Sequence, residues 1–256
     1  MSRAHQVTPE ELRTITISRM LDDHRVVFAG VGTPLVASAL ACRLHAPHLT
    51  VVLEGGIIGP RFRDGRLPVS TNEMRAAFGA PMLTDINDVF LYAQAGFYDY
   101  GVLGAAQVDR FGNINSSIIG DHGRPTVRLP GSGGANDIAS LCNTLLIVTS
   151  HESRRFVEKV DFITSPGWLS GGAARRDAGL CQGGPSAVVT ELAVFDFHPV
   201  SRQMRLCSLQ DGVTVDEVRS RTGFELTTVD DVGQIAPPTD AELLTLRQLT
   251  GAEAPR

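Results

Sequence analysis

Residues 51–59 read Val51-Val52-Leu53-Glu54-Gly55-Gly56-Ile57-Ile58-Gly59. An apolar run with a β-branched start reads as a buried strand, and this one ends in a single carboxylate. An unpaired ionised group is costly to bury, so Glu54 is expected at the strand's end, facing a cleft. Gly55 and Gly56 let the backbone turn sharply and let a ligand approach closely. Taken alone, the stretch also reads as a solvated strand-end glutamate ahead of a glycine turn.

On the N-terminal side, Thr8-Pro9-Glu10-Glu11 is a capping box that starts a helix running to about Asp22. Arg25–Ala29 is a strand that ends in Gly30-Val31-Gly32-Thr33-Pro34, and a helix follows over 35–44. This turn lacks the third glycine of a dinucleotide fingerprint, yet a glycine turn into a helix N-terminus offers N–H groups to an anion or oxyanion. On the C-terminal side, residues 60–80 read as a long irregular loop, and Thr84 caps a helix to about Ala95. Tyr100–Val108, a turn at 109–113 and Ile114–Ile119 form a hairpin or tight crossover. Gly131-Ser132-Gly133-Gly134-Ala135-Asn136 leads into a short helix near 137–141, and Asn143–Ser150 is another buried strand. Residues 170–184 read as a surface loop, Trp168 as a packing anchor, and Arg154, Arg155 and Lys159 as a solvated basic face. Ala187–Phe197 and Gln203–Leu209 are strand-like, and capping boxes at Thr214 and Thr239 start two more helices, stopped by Gly223 and Gly251. Alternating strands and helices predict an α/β fold over 1–256, a mostly parallel open sheet flanked by helices, in one domain. Three glycine turns, at Gly30, Gly55 and Gly131, then converge on the carboxyl edge, with Glu54 the one charged residue among them.

Composition narrows the function. The chain has 256 residues, 23 basic and 28 acidic, a net charge of −5 and no basic block, which argues against a nucleic-acid partner. Apolar runs are too short to span a bilayer. The opening residues lack the apolar core of a signal peptide, and the scattered Cys42, Cys142, Cys181 and Cys207 read as reduced thiols, so a cytoplasmic location is expected. Cys42, His45 and His48 have a superficial ligand spacing, but Pro47 interrupts it and no fourth ligand is near, so no metal site is expected.

Five motifs, in order, resemble those of the class I coenzyme A-transferases, and most closely the β subunits of the glutaconate type. Glu54-Gly55-Gly56-Ile57-Ile58-Gly59 matches the family's E-x-G-x-x-G pattern, and 131–136 resembles its G-x-G-G motif. Gly104-Ala105-Ala106-Gln107-Val108-Asp109 with Gly112-Asn113-Ile114-Asn115 resembles its GAxQxDxxGNxN signature. Arg154-Arg155-Phe156 and Thr164-Ser165-Pro166-Gly167-Trp168 resemble the glutaconate-type subunit. The resemblance implies a CoA-transferase-like fold and a nucleophilic Glu54 that carries CoA as a thioester. Candidate oxyanion or CoA contacts are Gly30, Gly32, Gly55, Gly56, Gly131, Gly133, Gly134 and Asn136, with more weight on the 131–134 turn because the resemblance implies that role for its motif, and with Asn136 serving equally well as a cap of the next helix. The resemblance also implies an α-subunit partner, in an αβ or larger assembly such as α4β4. A CoA thioester, with glutaconyl-CoA as an example, is then substrate, and no permanently bound cofactor is needed. Gly55 departs from the Ser or Asn that relatives often carry, and 60–80 matches the glutaconate enzymes poorly. Two other readings are a CoA-thioester hydrolase or decarboxylase using Glu54 as a base, and a non-catalytic ligand sensor.

Overall fold

The computed structural model describes residues 7–180 and 182–252. In chain order the elements are α1 (Pro9–Ser18), β1 (Val26–Ala29), α2 (Thr33–Leu44), β2 (Thr50–Leu53), β3 (Ile57–Ile58), a 3-10 turn at Met74–Ala77, β4 (Met82–Leu83), α3 (Ile86–Gln94) and β5 (Tyr100–Gly104). Two small hairpins follow, β6 (Gln107–Val108) with β7 (Ile114–Asn115), and β8 (Ile118–Gly120) with β9 (Pro125–Arg128). The chain continues through α4 (Ala135–Leu141), β10 (Thr144–Val148), α5 (Ala174–Asp177), β11 (Pro185–Val189), β12 (Ala193–Phe197), β13 (Met204–Leu209), α6 (Val215–Ser220), β14 (Thr227–Gln234) and α7 (Asp240–Thr250).

Ten strands make one open sheet in the order β14-β13-β12-β11-β10-β5-β1-β2-β3-β4. Its centre, β11-β10-β5-β1-β2, is wholly parallel, antiparallel pairings extend both flanks, and the outermost pair β13–β14 is parallel again. The central strands read as unbroken apolar runs because both faces are covered. Val27, Ala29, Val51 and Leu53 join Leu35 and Ala37 of α2 on one face. Phe28 and Val52 join Val89 and Ala93 of α3 and Ile138 of α4 on the other. The path from β1 turns to α2 on the first face, whereas that from β5 reaches α4 on the second. Such a reversal opens a crevice at the carboxyl ends of the strands.

Several local expectations shift. The first helix stops at Ser18 rather than Asp22. Asp85, not Thr84, is the N-cap of α3: its carboxylate accepts from Asn87 and Asp88 N–H, while the Thr84 hydroxyl donates to Asp88. A carboxylate opposite two first-turn N–H groups outcompetes a hydroxyl one residue earlier. The stretch 187–197 is two antiparallel strands, because the Thr190 hydroxyl accepts from Leu192 and Ala193 N–H and closes a turn. Thr214 accepts the Glu217 N–H at the start of α6, whereas Thr239 closes a full reciprocal box on α7. α6 ends at Ser220 with Arg221 as its C-cap, ahead of Gly223, which packs against the Phe156 carbonyl. Residues 170–184 are not simply a surface loop. They contain α5, whose Arg175 is buried and donates to the carbonyls of Ala139, Pro166, Gly167 and Gln182. Burial, with no carboxylate beside it, pulls that guanidinium down to about 10.

Candidate active site

β2 and β1 run parallel in the register Val26↔Thr50 to Phe28↔Val52, so Glu54 and Gly30 emerge level at the carboxyl edge. Side chains alternate along a strand. Leu53 belongs to the α2 face, so Glu54 turns to the face of Phe28, Val52 and α3. There its carboxylate meets the turn before α4. A Cβ built on Gly134 would lie 3.0 Å from Glu54 Oε1, 3.2 Å from its Cδ and 2.7 Å from Phe90 Cζ. Phe90 stacks on Phe28 at 5.9 Å between centroids, which backs the site with aromatic surface. Glu54 is half-buried and has no hydrogen bond or ion pair among the described residues.

The glycine turn leaves two of its N–H groups without a partner among the described residues. Gly131 N–H donates to the Ser116 carbonyl at 2.8 Å, and Ala135 N–H to that of Ser132 at 2.9 Å. The N–H groups of Gly133 and Gly134 have no acceptor among the described residues. Gly131 and Gly133 take positive φ (97° and 48°), with open space where a side chain would stand. This left-handed backbone is inexpensive only for glycine. Gly32 is the N-cap of α2 and also faces open space, as does Gly30. A half-buried carboxylate beside unpaired N–H groups suits acyl transfer, in which the carboxylate attacks and the N–H groups bind a developing oxyanion.

Gly55 and Gly56 are approached by the chain itself. A Cβ on Gly55 would lie 2.1 Å from Asn72 Oδ1 and 2.6 Å from the Thr71 carbonyl, and one on Gly56 would lie 2.0 Å from the Thr84 carbonyl. Gly55 is thus matched to the 60–80 loop folded over it. Asn136 is exposed, and its Nδ2 donates to the Thr164 carbonyl at 3.1 Å, while Gly134 is the N-cap of α4. Its side chain therefore ties two segments together and does not cap the helix. Ser116, whose hydroxyl donates to the Gly131 carbonyl at 3.0 Å, escaped the sequence reading, as did the seat of Glu54 beside Phe90. Nothing in the sequence pattern distinguishes that serine from others near turns.

A cavity of about 780 Å³ lies away from Glu54, against Arg61, Arg63, Arg66 and Arg75, with the Arg63 guanidinium 3.5 Å over the Phe78 ring. Glu54 and the 131–134 turn do not line it. Cys42, His45 and His48 are not gathered either: they bond the Leu49 carbonyl, the Leu21 carbonyl and Asp23 in turn. No helix among the described residues is long and apolar enough to cross a membrane.

The coenzyme A transferase family model matches residues 12–221. This chain belongs to that family. It is 39% identical to the B subunit of 3-oxoadipate CoA-transferase from Pseudomonas knackmussii, over 95% of this chain and 94% of that one. It is 32% identical to the B subunit of glutaconate CoA-transferase from Acidaminococcus fermentans, over 94% and 91%. The crystal structure of glutaconate coenzyme A-transferase from A. fermentans superposes with a TM-score of 0.87 at 30% identity, covering 94% of each chain. In this family member, the E-x-G-x-x-G and G-x-G-G motifs meet at one point, the contact of Glu54 with Gly134.

Proposed function

We propose that this chain is the glutamate-bearing subunit of a class I CoA-transferase, which acts with an α subunit and moves CoA from an acyl-CoA to a carboxylate. The observation that carries the reading is the Glu54 carboxylate seated against Gly134, beside the unpaired Gly133 and Gly134 N–H groups. A Glu54 oxygen attacks the thioester carbonyl, the C–S bond breaks, and an acyl-glutamyl anhydride forms with release of CoA thiolate. The thiolate then attacks the glutamyl carbonyl, giving a glutamyl-CoA thioester and the free carboxylate. An incoming carboxylate runs both steps in reverse. Each good oxyanion donor supplies roughly 3 kcal/mol of transition-state stabilisation. CoA is substrate here, and the chain's own residues carry the chemistry without a resident cofactor or metal. The two relatives are named for 3-oxoadipate and glutaconate, both dicarboxylates, which supports a dicarboxylic acyl-CoA as substrate. An open cleft would let water hydrolyse the anhydride. Both relatives are named as one subunit of a larger enzyme, which supports a partner that closes over the cleft.

The test is mass spectrometry of the two-subunit complex mixed with acyl-CoA. The peptide holding Glu54 gains the mass of CoA minus water, hydroxylamine removes it, and Glu54→Gln abolishes both adduct and transfer with an unchanged melting temperature. A Gln variant that retains turnover refutes Glu54 as nucleophile. Acyl-CoA consumption that needs only water identifies a hydrolase instead.

A further inference from the structure

The signature at 104–115 contributes four buried polar residues that the chemistry above does not use: Gln107, Asp109, Asn113 and Asn115, each no more than 5% exposed. Most buried polar groups are held by partners, and the partners of these four lead to the active site. Asp109 and Asn113 form the first half. Asp109 Oδ1 accepts the Phe111 and Asn113 N–H groups at 2.9 and 3.1 Å. Asn113 Oδ1 in turn accepts the N–H groups of Gly167 and Leu169 at 2.9 and 3.1 Å, and its Nδ2 donates to the Leu169 carbonyl at 2.8 Å. The hairpin of β6 and β7 is thereby clamped to the segment 164–169. A backbone pair reinforces the clamp, with Ile114 N–H to the Ser165 carbonyl at 3.0 Å and Thr164 N–H to the Ile114 carbonyl at 2.8 Å.

Gln107 and Asn115 form the second half. Asn115 Nδ2 donates to Gln107 Oε1 at 2.7 Å, Gln107 Nε2 donates to Asp161 at 3.1 Å, and Asn115 Oδ1 accepts the Ser117 N–H at 3.0 Å. This orients Ser116 and Ser117 toward Thr164, which is 4% exposed. Thr164 Oγ1 accepts the Ser116 N–H at 2.9 Å and bonds the Ser117 hydroxyl at 2.8 Å. Ser116 then grips the glycine turn at both of its polar groups: its carbonyl accepts from Gly131 N–H at 2.8 Å, and its hydroxyl donates to the Gly131 carbonyl at 3.0 Å. The Thr164 carbonyl holds the other side of the turn through Asn136 Nδ2.

We infer that Thr164 is a positioning residue for the transfer reaction: through Ser116 and Asn136 its hydroxyl and carbonyl set the Gly131–Gly134 turn against Glu54. The inference rests on the proposed role of Glu54, because it concerns the N–H groups that would meet the oxyanion there. The reason a hydroxyl is needed is the asymmetry of buried hydrogen bonds. A valine of nearly the same shape keeps the packing but strands the Ser116 N–H without an acceptor and the Ser117 hydroxyl without its partner. The turn then relaxes toward other partners, and oxyanion donors work only when held in place before the reaction. Thr164 touches neither substrate nor Glu54 in this scheme. Its effect falls on the chemical step and not on binding.

The experiment compares Thr164→Val, Thr164→Ser and Ser165→Ala in the two-subunit complex. Ser165 is the control: its hydroxyl is buried in the same segment and has no partner. Thr164→Val is expected to lower kcat by about 10- to 100-fold, the scale of a sub-ångström misplacement, with KM for acyl-CoA within about threefold. Thr164→Ser restores kcat, and Ser165→Ala leaves it unchanged. Hydrogen exchange of the peptide covering 130–135 supplies a readout independent of activity, and it is expected to quicken at least tenfold in Thr164→Val alone. Should the valine variant fail to assemble, Ser116→Ala removes a single bond from a half-buried hydroxyl and carries the same two measurements. Wild-type kcat and exchange in the variants, or equal loss of kcat in the serine variant, overturns the inference. A wild-type complex that never carries an adduct on Glu54 overturns the covalent mechanism instead, and the exchange measurement still decides whether Thr164 holds the turn.

Discussion

Replacing Gly134 with alanine adds one methyl at the point where two motifs touch. Its backbone, at φ −79° and ψ 3°, is open to any residue, so the substitution introduces no dihedral strain. The effect is steric. The methyl carbon would lie 2.7 Å from Phe90 Cζ and 3.0 Å from Glu54 Oε1, where ordinary contact begins at 3.4 Å. Both neighbours must give: the 2.7 Å approach to Phe90, whose ring is backed by Phe28, forces the ring or the turn itself to shift, and the half-buried, unbonded Glu54 carboxylate yields by about 0.4 Å or more. Overpacking of this kind costs about 1–3 kcal/mol, and each kcal/mol lowers the melting temperature by roughly 2–4 °C in a chain of this size. The rate responds more strongly, because a misplacement of ~1 Å costs on the order of 100-fold. A 10- to 100-fold slower formation of the glutamyl-CoA adduct in single turnover is therefore expected, with acyl-CoA affinity little changed. An alanine variant that forms the adduct at the wild-type rate refutes the argument that Glu54 works from the seat against Gly134.

Three further predictions follow from named contacts. Gly55→Ser drives Cβ into the Thr71 carbonyl and Asn72 and is expected to cost about 1–3 kcal/mol, read as a lower midpoint in urea. Arg175→Met leaves the carbonyls of Ala139, Pro166, Gly167 and Gln182 without their donor and is expected to destabilise by about 3 kcal/mol or more; a loss under 1 kcal/mol in chemical denaturation contradicts it. Burial, opposed by Glu191, pulls His151 down from 6.5 to about 4. Its neutral form is favoured in the folded state, so its contribution to stability is full above pH 6.5 and is lost progressively as pH falls toward 4, by at most ~3 kcal/mol. A His151→Gln variant is expected to show a shallower decline in melting temperature over that window, and an identical decline assigns the effect to other groups.

The elements with strong local signals were legible in the sequence. The capping boxes at Thr8 and Thr239 and the apolar runs at β1, β2 and β10 formed where the pattern put them. The strand β14 was not seen, because TTVDDVGQ carries two adjacent carboxylates and is stabilised as an outer strand by pairing with β13. Pairing energy of that kind is absent from the strand's own residues.

The candidate site divides in the same way. That Glu54 ends a buried strand follows from an apolar run meeting a charge, and that glycine turns exist follows from composition. Which turn meets the carboxylate depends on the sheet order and on strand pleat, since Glu54 lies on the Phe28 face only because Leu53 occupies the other. Tertiary structure alone showed that Gly134 abuts Glu54, that the 60–80 loop fills the space beside Gly55, and that the Asn136 side chain bonds Thr164 instead of capping its helix. Each of these contacts joins residues 16 to 80 positions apart. Local sequence sets backbone propensity, and distances across such gaps arise only when the layers pack.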